Sequence, residues 1–172
     1  FDRLVDPVAE GFDLDVRIGD EIAPQLIARR LMVNHRILCA APAYLARHGT
    51  PRVLADLAGH DCLVIKERDH PVGVWRLRGR GGEETVKVSG ALSTNHGEIA
   101  LRWALDGAGI ILRSRWHAQP HLDAGRLVQV LPDFTQEANV WAVYPRRLGN
   151  SAKVRVCVEF LERELAAGRA PE

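Results

Sequence analysis

Apolar and polar residues alternate over Leu14, Asp15, Val16, Arg17 and Ile18, a period of two that predicts a strand ended by Gly19-Asp20. Leu26 to Val33 and Arg36 to Ala41 read as two further extended segments, and Ile37-Leu38-Cys39-Ala40-Ala41 is apolar enough to lie inside a sheet. Pro42 stands at a first helical position, so Pro42 to His48 predicts a short helix closed by Gly49. Trp75-Arg76-Leu77 and Thr85 to Leu92 flank Arg78-Gly79-Arg80-Gly81-Gly82, whose glycines suit the reversal of a β-hairpin. Asn95 reads as an N-cap with Glu98 three residues on, a capping-box variant before a helix over Ile99 to Asp106 that Gly107 closes. Ala108 to Leu112 and Asn139 to Tyr144 are strand candidates, the second stopped by Pro145. Ser151 caps a last helix in which Val154, Val158, Leu161 and Leu165 recur at helical spacing. Strands alternating with helices, with one hairpin, predict an α/β architecture.

Composition narrows the class without changing that picture. Of 172 residues 47% are apolar and 26% charged, and no apolar run reaches the roughly 20 residues that span a bilayer, so no membrane role is expected. Lys and Arg number 23 against 22 Asp and Glu, a net charge of +1, which predicts no DNA binding by this segment itself. Cys39, Cys62 and Cys157 form no C-x-x-C pair, and they read as buried reduced thiols of a cytoplasmic protein. The chain opens at Phe1-Asp2-Arg3 without a basic or apolar leader, and reads as a piece of a longer chain with no signal peptide.

The chain lacks the G-x-S-x-G, Walker, dinucleotide and H-E-x-x-H motifs, so no enzyme and no cofactor is expected. His117 and His121 are four apart, but Pro120 between them would disturb a helix and no third ligand is near in sequence, which argues against a metal. Glu83 and Glu84 are adjacent in a hairpin strand, point to opposite faces, and make a poor acid/base pair. The segment Ser93-Thr94-Asn95-His96 is more informative: two hydroxyls, an amide and free N–H groups meet at the positive end of a helix, a place that suits a carboxylate. Asn95 serves equally well as a plain cap. Arg17 is open in the same way, able to clamp an anion or to pair with Asp15 or Asp20.

Three stretches in this order resemble the effector-binding domain of LysR-type transcriptional regulators. They are Asp13-Leu14-Asp15-Val16-Arg17-Ile18-Gly19-Asp20; then Cys39-Ala40-Ala41-Pro42-Ala43-Tyr44-Leu45-Ala46-Arg47-His48-Gly49 with Asp56-Leu57-Ala58-Gly59-His60-Asp61-Cys62-Leu63; and last Gly107-Ala108-Gly109-Ile110-Ile111-Leu112-Arg113-Ser114 with Leu122-Asp123-Ala124-Gly125-Arg126-Leu127-Val128 and Val143-Tyr144-Pro145. The resemblance implies two α/β lobes of the periplasmic-binding-protein type (type 2), residues 1–38 with 142–172 and residues 42–138, joined by crossing strands at Ile37 to Ala41 and Val140 to Tyr144. It implies a small organic acid or other polar metabolite in the cleft, touched by Arg17, Gly19 and Asp20 from one wall and Ser93, Thr94, Asn95 and His96 from the other. It further implies a cytoplasmic homodimer or homotetramer that meets DNA only through a winged helix-turn-helix upstream of Phe1. A first strand-helix-strand of the sensing domain is expected upstream as well. A transporter's solute-binding protein would share the architecture, and a small hydrolase would need a nucleophile beside a base that no spacing here offers.

Overall fold

The computed structural model describes residues 13–19, 21–66 and 71–168. In chain order they form strands β1 (Asp15–Ile18), β2 (Leu26–Met32) and β3 (His35–Ala40), helix α1 (Pro42–His48), a 3-10 turn (Leu54–Gly59), and strands β4 (Cys62–Ile65), β5 (Val74–Gly79), β6 (Gly82–Lys87) and β7 (Ser93–Thr94). Helix α2 (Gly97–Leu105), β8 (Ile110–Ser114), helix α3 (Arg115–Asp123), β9 (Val128–Gln129), β10 (Gln136–Glu137), β11 (Val140–Pro145), a 3-10 turn (Arg146–Leu148) and helix α4 (Ala152–Ala166) follow. They divide into two compact units, one over His35–Gln136 and one built from the flanking segments.

The central unit is organised by a sheet in the order β10-β3-β8-β4-β7, with β9 also on β3. β4 runs parallel to both β7 and β8, while β3 is antiparallel to β8. Period-two alternation sorts its side chains. Ile37, Cys39, Leu63 and Ile111 point to one face, where Ala100, Leu101 and Ala104 of α2 and Ala118 of α3 cover them. Leu38, Ala40, Cys62, Val64, Ile110 and Leu112 point to the other, against Tyr44, Leu57 and the hairpin residues Trp75 and Leu77. Strands covered on both faces must be apolar throughout, which is why these segments read as unbroken apolar runs. Each large side chain so buried contributes roughly 1.5–3 kcal/mol.

Close backbone contacts and a buried hydroxyl hold β4 in place. A Cβ at Gly109 would overlap the Asp61 carbonyl oxygen and one at Gly90 would overlap that of Cys62, so only glycine permits these approaches on either side of the strand. The Tyr44 hydroxyl accepts from the Asp61 N–H at 3.0 Å and lies 2.8 Å from His60 Nδ1, so a ring with almost no exposed surface keeps its polar end satisfied.

In the second unit β11 is central between β1 and β2, all antiparallel, and α4 packs on β2. Ala142, Val154 and Val158 form its core with Leu14, Leu31, Tyr144 and Leu148. The Ser151 hydroxyl caps α4, accepting from the Val154 N–H at 3.4 Å. Val16 and Ile18 sit opposite Ala142 and Val140 in the register, yet keep 38% and 45% of their surface because α4 lies over β2 and leaves the edge strand less covered.

Several expectations need correction. The helix expected over Ile99 to Asp106 spans Gly97–Leu105, and its N-cap is His96 rather than Asn95, with no side chain capping the end. The Thr94 hydroxyl accepts from the His96 N–H at 3.1 Å, a local turn that carries the chain past Asn95 before the helix begins. Glu98 does not reach back as a capping box, because its carboxylate is held by Arg113. The strand expected over Thr85 to Leu92 is β6, which spans Gly82–Lys87; beyond it Ser89 leaves the hairpin to accept from the Cys62 N–H. Pro120 lies inside α3, a single missing N–H that a short surface helix tolerates. Cys39 and Cys62 are buried as expected, but Cys157 is exposed on α4, off the stripe formed by Val154, Val158 and Leu165.

Desolvation pushes the Cys39 and Cys62 thiols up to about 12, so neither presents thiolate at neutral pH. A thiol reagent is therefore expected to modify one cysteine, Cys157, in the native chain and the other two only on unfolding; simultaneous modification of all three would contradict the packing. Burial also depresses the imidazoles of His117, His121 and His35, helped by Arg113, Arg126 and Arg115 respectively, while Glu98 opposes the shift at His117 and His121. Their folded values lie below the ordinary imidazole value of about 6.5, so the unfolded chain binds more protons in between. Stability from these groups is full above about pH 6.5 and is lost as pH falls through the depressed folded values. Denaturant titrations at descending pH should show this loss, and His117→Gln should reduce it; an unchanged slope in that variant would argue against it.

Candidate functional site

Because β4, β7 and β8 are parallel, their carboxyl ends open at one edge of the central unit's sheet, and Ile65 stands beside Thr94 in the register. Both faces of that sheet are covered by apolar packing, so the strand ends are where polar groups can gather. In open α/β sheets ligands are bound outside the carboxyl ends of the strands. At this edge the chain places Ser93 and Thr94 as β7, Asn95 and His96 as the turn that follows, and the first turn of α2. Ser93, Asn95 and His96 are exposed and Thr94 is half-buried. The sequence thus brought four of its candidate residues together, although as a strand end and turn rather than as a capped helix start.

Arg113 and Arg36 stand at the same edge and escaped the sequence reading. Arg113 follows Ile111 by two on β8, so it points to the face of α2 and α3. Arg36 pairs opposite Ser114, at the start of β3, and shares the other face with Leu38. Both line one pocket with Ile65, Trp75 and Gln136, and Arg36 Nη1 donates to Gln136 Oε1 at 2.8 Å. The guanidinium of Arg113 lies against Gly97, where a Cβ would overlap Nη1. Its Nη2 donates to Glu98 Oε1 at 2.9 Å, and its Nε is buried with no acceptor among the described residues. A cation thus sits at the end of a helix whose own dipole is positive there, an arrangement that calls for negative charge. The only local hint in the sequence is an arginine directly after the apolar run Ile110-Ile111-Leu112, together with a glycine at the head of α2.

In the other unit Arg17 Nε donates to Asp15 Oδ2 at 2.6 Å, the intramolecular pairing that the sequence left open, and both side chains are largely covered. Gly19 adopts φ +109° and donates to the Asn139 carbonyl at 2.9 Å, so it ends β1 in a conformation that favours glycine. Asp20 lies outside the described residues. Glu83 and Glu84 are exposed on β6 and adjacent to each other. Among the described residues no group of three or more His, Cys, Asp and Glu side chains is arranged to hold a metal ion, and no helix is long and apolar enough to cross a membrane.

Comparison with known proteins places this geometry in a family. Residues 1–166 match the LysR substrate binding domain. The chain is 61% identical over 165 residues to the HTH-type transcriptional regulator DmlR of Escherichia coli K12, covering 96% of this chain and 54% of that protein. It is 55% identical over 161 residues to the HTH-type transcriptional activator TtdR of the same organism, covering 94% and 52%. Among solved structures it is similar to CrgA, a LysR-type transcriptional regulator from Neisseria meningitidis, with a TM-score of 0.78 and 29% identity over 92% of this chain and 54% of that one. The chain therefore spans about half the length of the curated relatives it matches. The fold is the mixed α/β fold of LysR effector-binding domains, of the periplasmic-binding-protein type. With the family model matched over nearly its whole length, the chain belongs to the LysR substrate-binding domain family.

Proposed function

We propose that this chain is the sensing part of a cytoplasmic LysR-type transcriptional regulator, that its effector is a small organic acid, and that the acid's carboxylate is received at the carboxyl edge of β4, β7 and β8. The observation that carries the reading is the Arg113 guanidinium seated against Gly97 at the start of α2, directly after the Thr94-Asn95-His96 turn that leaves β7. Ser93 and His96 border the same place, and the reading also assigns Arg17, Gly19 and Asp20 to the effector. The effector would act by favouring one of two arrangements of the protein, which requires that it bind them unequally. DNA would be met by a helix-turn-helix in another segment of a homo-oligomer, since the net charge of +1 gives this segment no excess of cations for phosphate. The relatives matched are regulators, which favours a sensor over a transporter's solute-binding protein and over an enzyme.

A thermal-shift screen of organic acids tests the reading. An effector present at about a hundred times its dissociation constant is expected to stabilise the chain by roughly 2.7 kcal/mol. Asn95→Ala should reduce that shift with little change in the melting temperature of the unliganded chain, and Arg17→Ala should reduce it beyond the destabilisation that comes from leaving the covered Asp15 without its Arg17 partner. No shift with any acid, or shifts unaltered in both variants, would refute the site.

A further inference from the structure

We infer that Glu98 is a built-in competitor for the anion seat on Arg113, occupying the guanidinium until an incoming carboxylate displaces it; this rests on the function proposed above. Three features of the side chains carry it. Arg113 is fixed: its side chain is only 18% exposed, and it fits against Gly97 in space that any Cβ would fill. Glu98 is not fixed: its side chain is 61% exposed and it can swing into water at little cost. The Glu98 bond uses one edge of the fork, through Nη2, while the buried Nε has no acceptor among the described residues. A guanidinium is best satisfied by a carboxylate that takes two of its N–H groups in parallel, so an external carboxylate reaching Nε and Nη2 would make a bond that Glu98 does not make.

The local charge balance explains why a competitor belongs there. Arg113 and the amino end of α2 are positive together, and the Arg36 guanidinium lines the adjoining pocket. Without a negative group the three would repel, so Glu98 stabilises the unliganded state and is released when the ligand supplies the charge. Exchange of one carboxylate for another keeps the net charge of the seat constant. It also sets a threshold, because the effector must outbid an internal group that is always present.

Isothermal titration with succinate and with sulfate, at low ionic strength where exposed charges are little screened, tests this. Glu98→Gln is expected to tighten succinate by roughly two- to fivefold, the range an exposed ion pair is worth. Arg113→Gln should remove that binding both in the otherwise unaltered chain and together with Glu98→Gln. Gly97→Ala, which crowds the guanidinium from a half-buried helix start while leaving Arg113 in place, should weaken it. Succinate affinity unchanged or weakened in Glu98→Gln, or binding that survives Arg113→Gln, would overturn the inference. Sulfate separates it from the proposed function. Competition acts on any anion, so tighter sulfate binding in Glu98→Gln upholds the competitor even if no organic acid proves to be an effector. Acid binding that needs Arg113 but ignores Glu98 overturns only the competitor.

Discussion

The central unit is governed by the burial of one sheet on both faces. Away from their ends, β3, β4 and β8 carry apolar residues on both covered faces, so no polar side chain can leave the middle of the sheet without losing its water. Exposed polar side chains of this sheet are thereby confined to the strand ends. Parallel pairing of β4 with β7 and β8 then gathers three carboxyl ends at one edge, and the turn from β7 into α2 delivers hydroxyl, amide and N–H groups to the same edge. The glycines beside β4 belong to the same constraint: Gly90 and Gly109 let neighbouring backbone approach the strand where any side chain would force it apart.

The electrostatics of the edge follow from that geometry. β8 ends in Arg113 on the face that α2 covers, and α2 begins with the one residue type that leaves room for a guanidinium. Packing therefore presses a cation against the positive end of a helix, a conflict that a core would avoid and a binding site can use. Glu98, one residue into the helix, relieves it from the outside. Burial lowers the His117 and His121 imidazoles, helped by Arg113 at the first and Arg126 at the second, while Glu98 opposes the shift at both.

Much of this was legible in the chain itself. The run at Ile37 to Ala41, the helix from Pro42 to His48 and the cap at Ser151 are local patterns found within a residue of their expected place, and the hairpin reverses at the glycines expected to turn it although its second strand is displaced. The stretch from Gly107 to Ser114, which resembled a family motif, has a physical basis as well. Gly107 takes φ +82° to end α2, Gly109 admits the Asp61 carbonyl, and Ile110 to Leu112 fill both cores. What local patterns could not show was competition between partners. Asn95 and Glu98 have the spacing of a capping pair, but the Thr94 hydroxyl binds the His96 N–H in a local turn and the Glu98 carboxylate is taken by Arg113, fifteen residues beyond it. Arg113 was invisible for the same reason, since its role depends on which helix lies over the end of its strand.

Backbone hydrogen exchange, with and without an acid that stabilises the chain, measures directly whether ligand is received at this edge. Protection is expected to rise over residues 93–98 and 111–114, at the ends of β7 and β8 and the start of α2. Protection confined to the pocket between Arg29, Tyr144, Leu148 and Val154 in the other unit, with residues 93–98 unchanged, would contradict it.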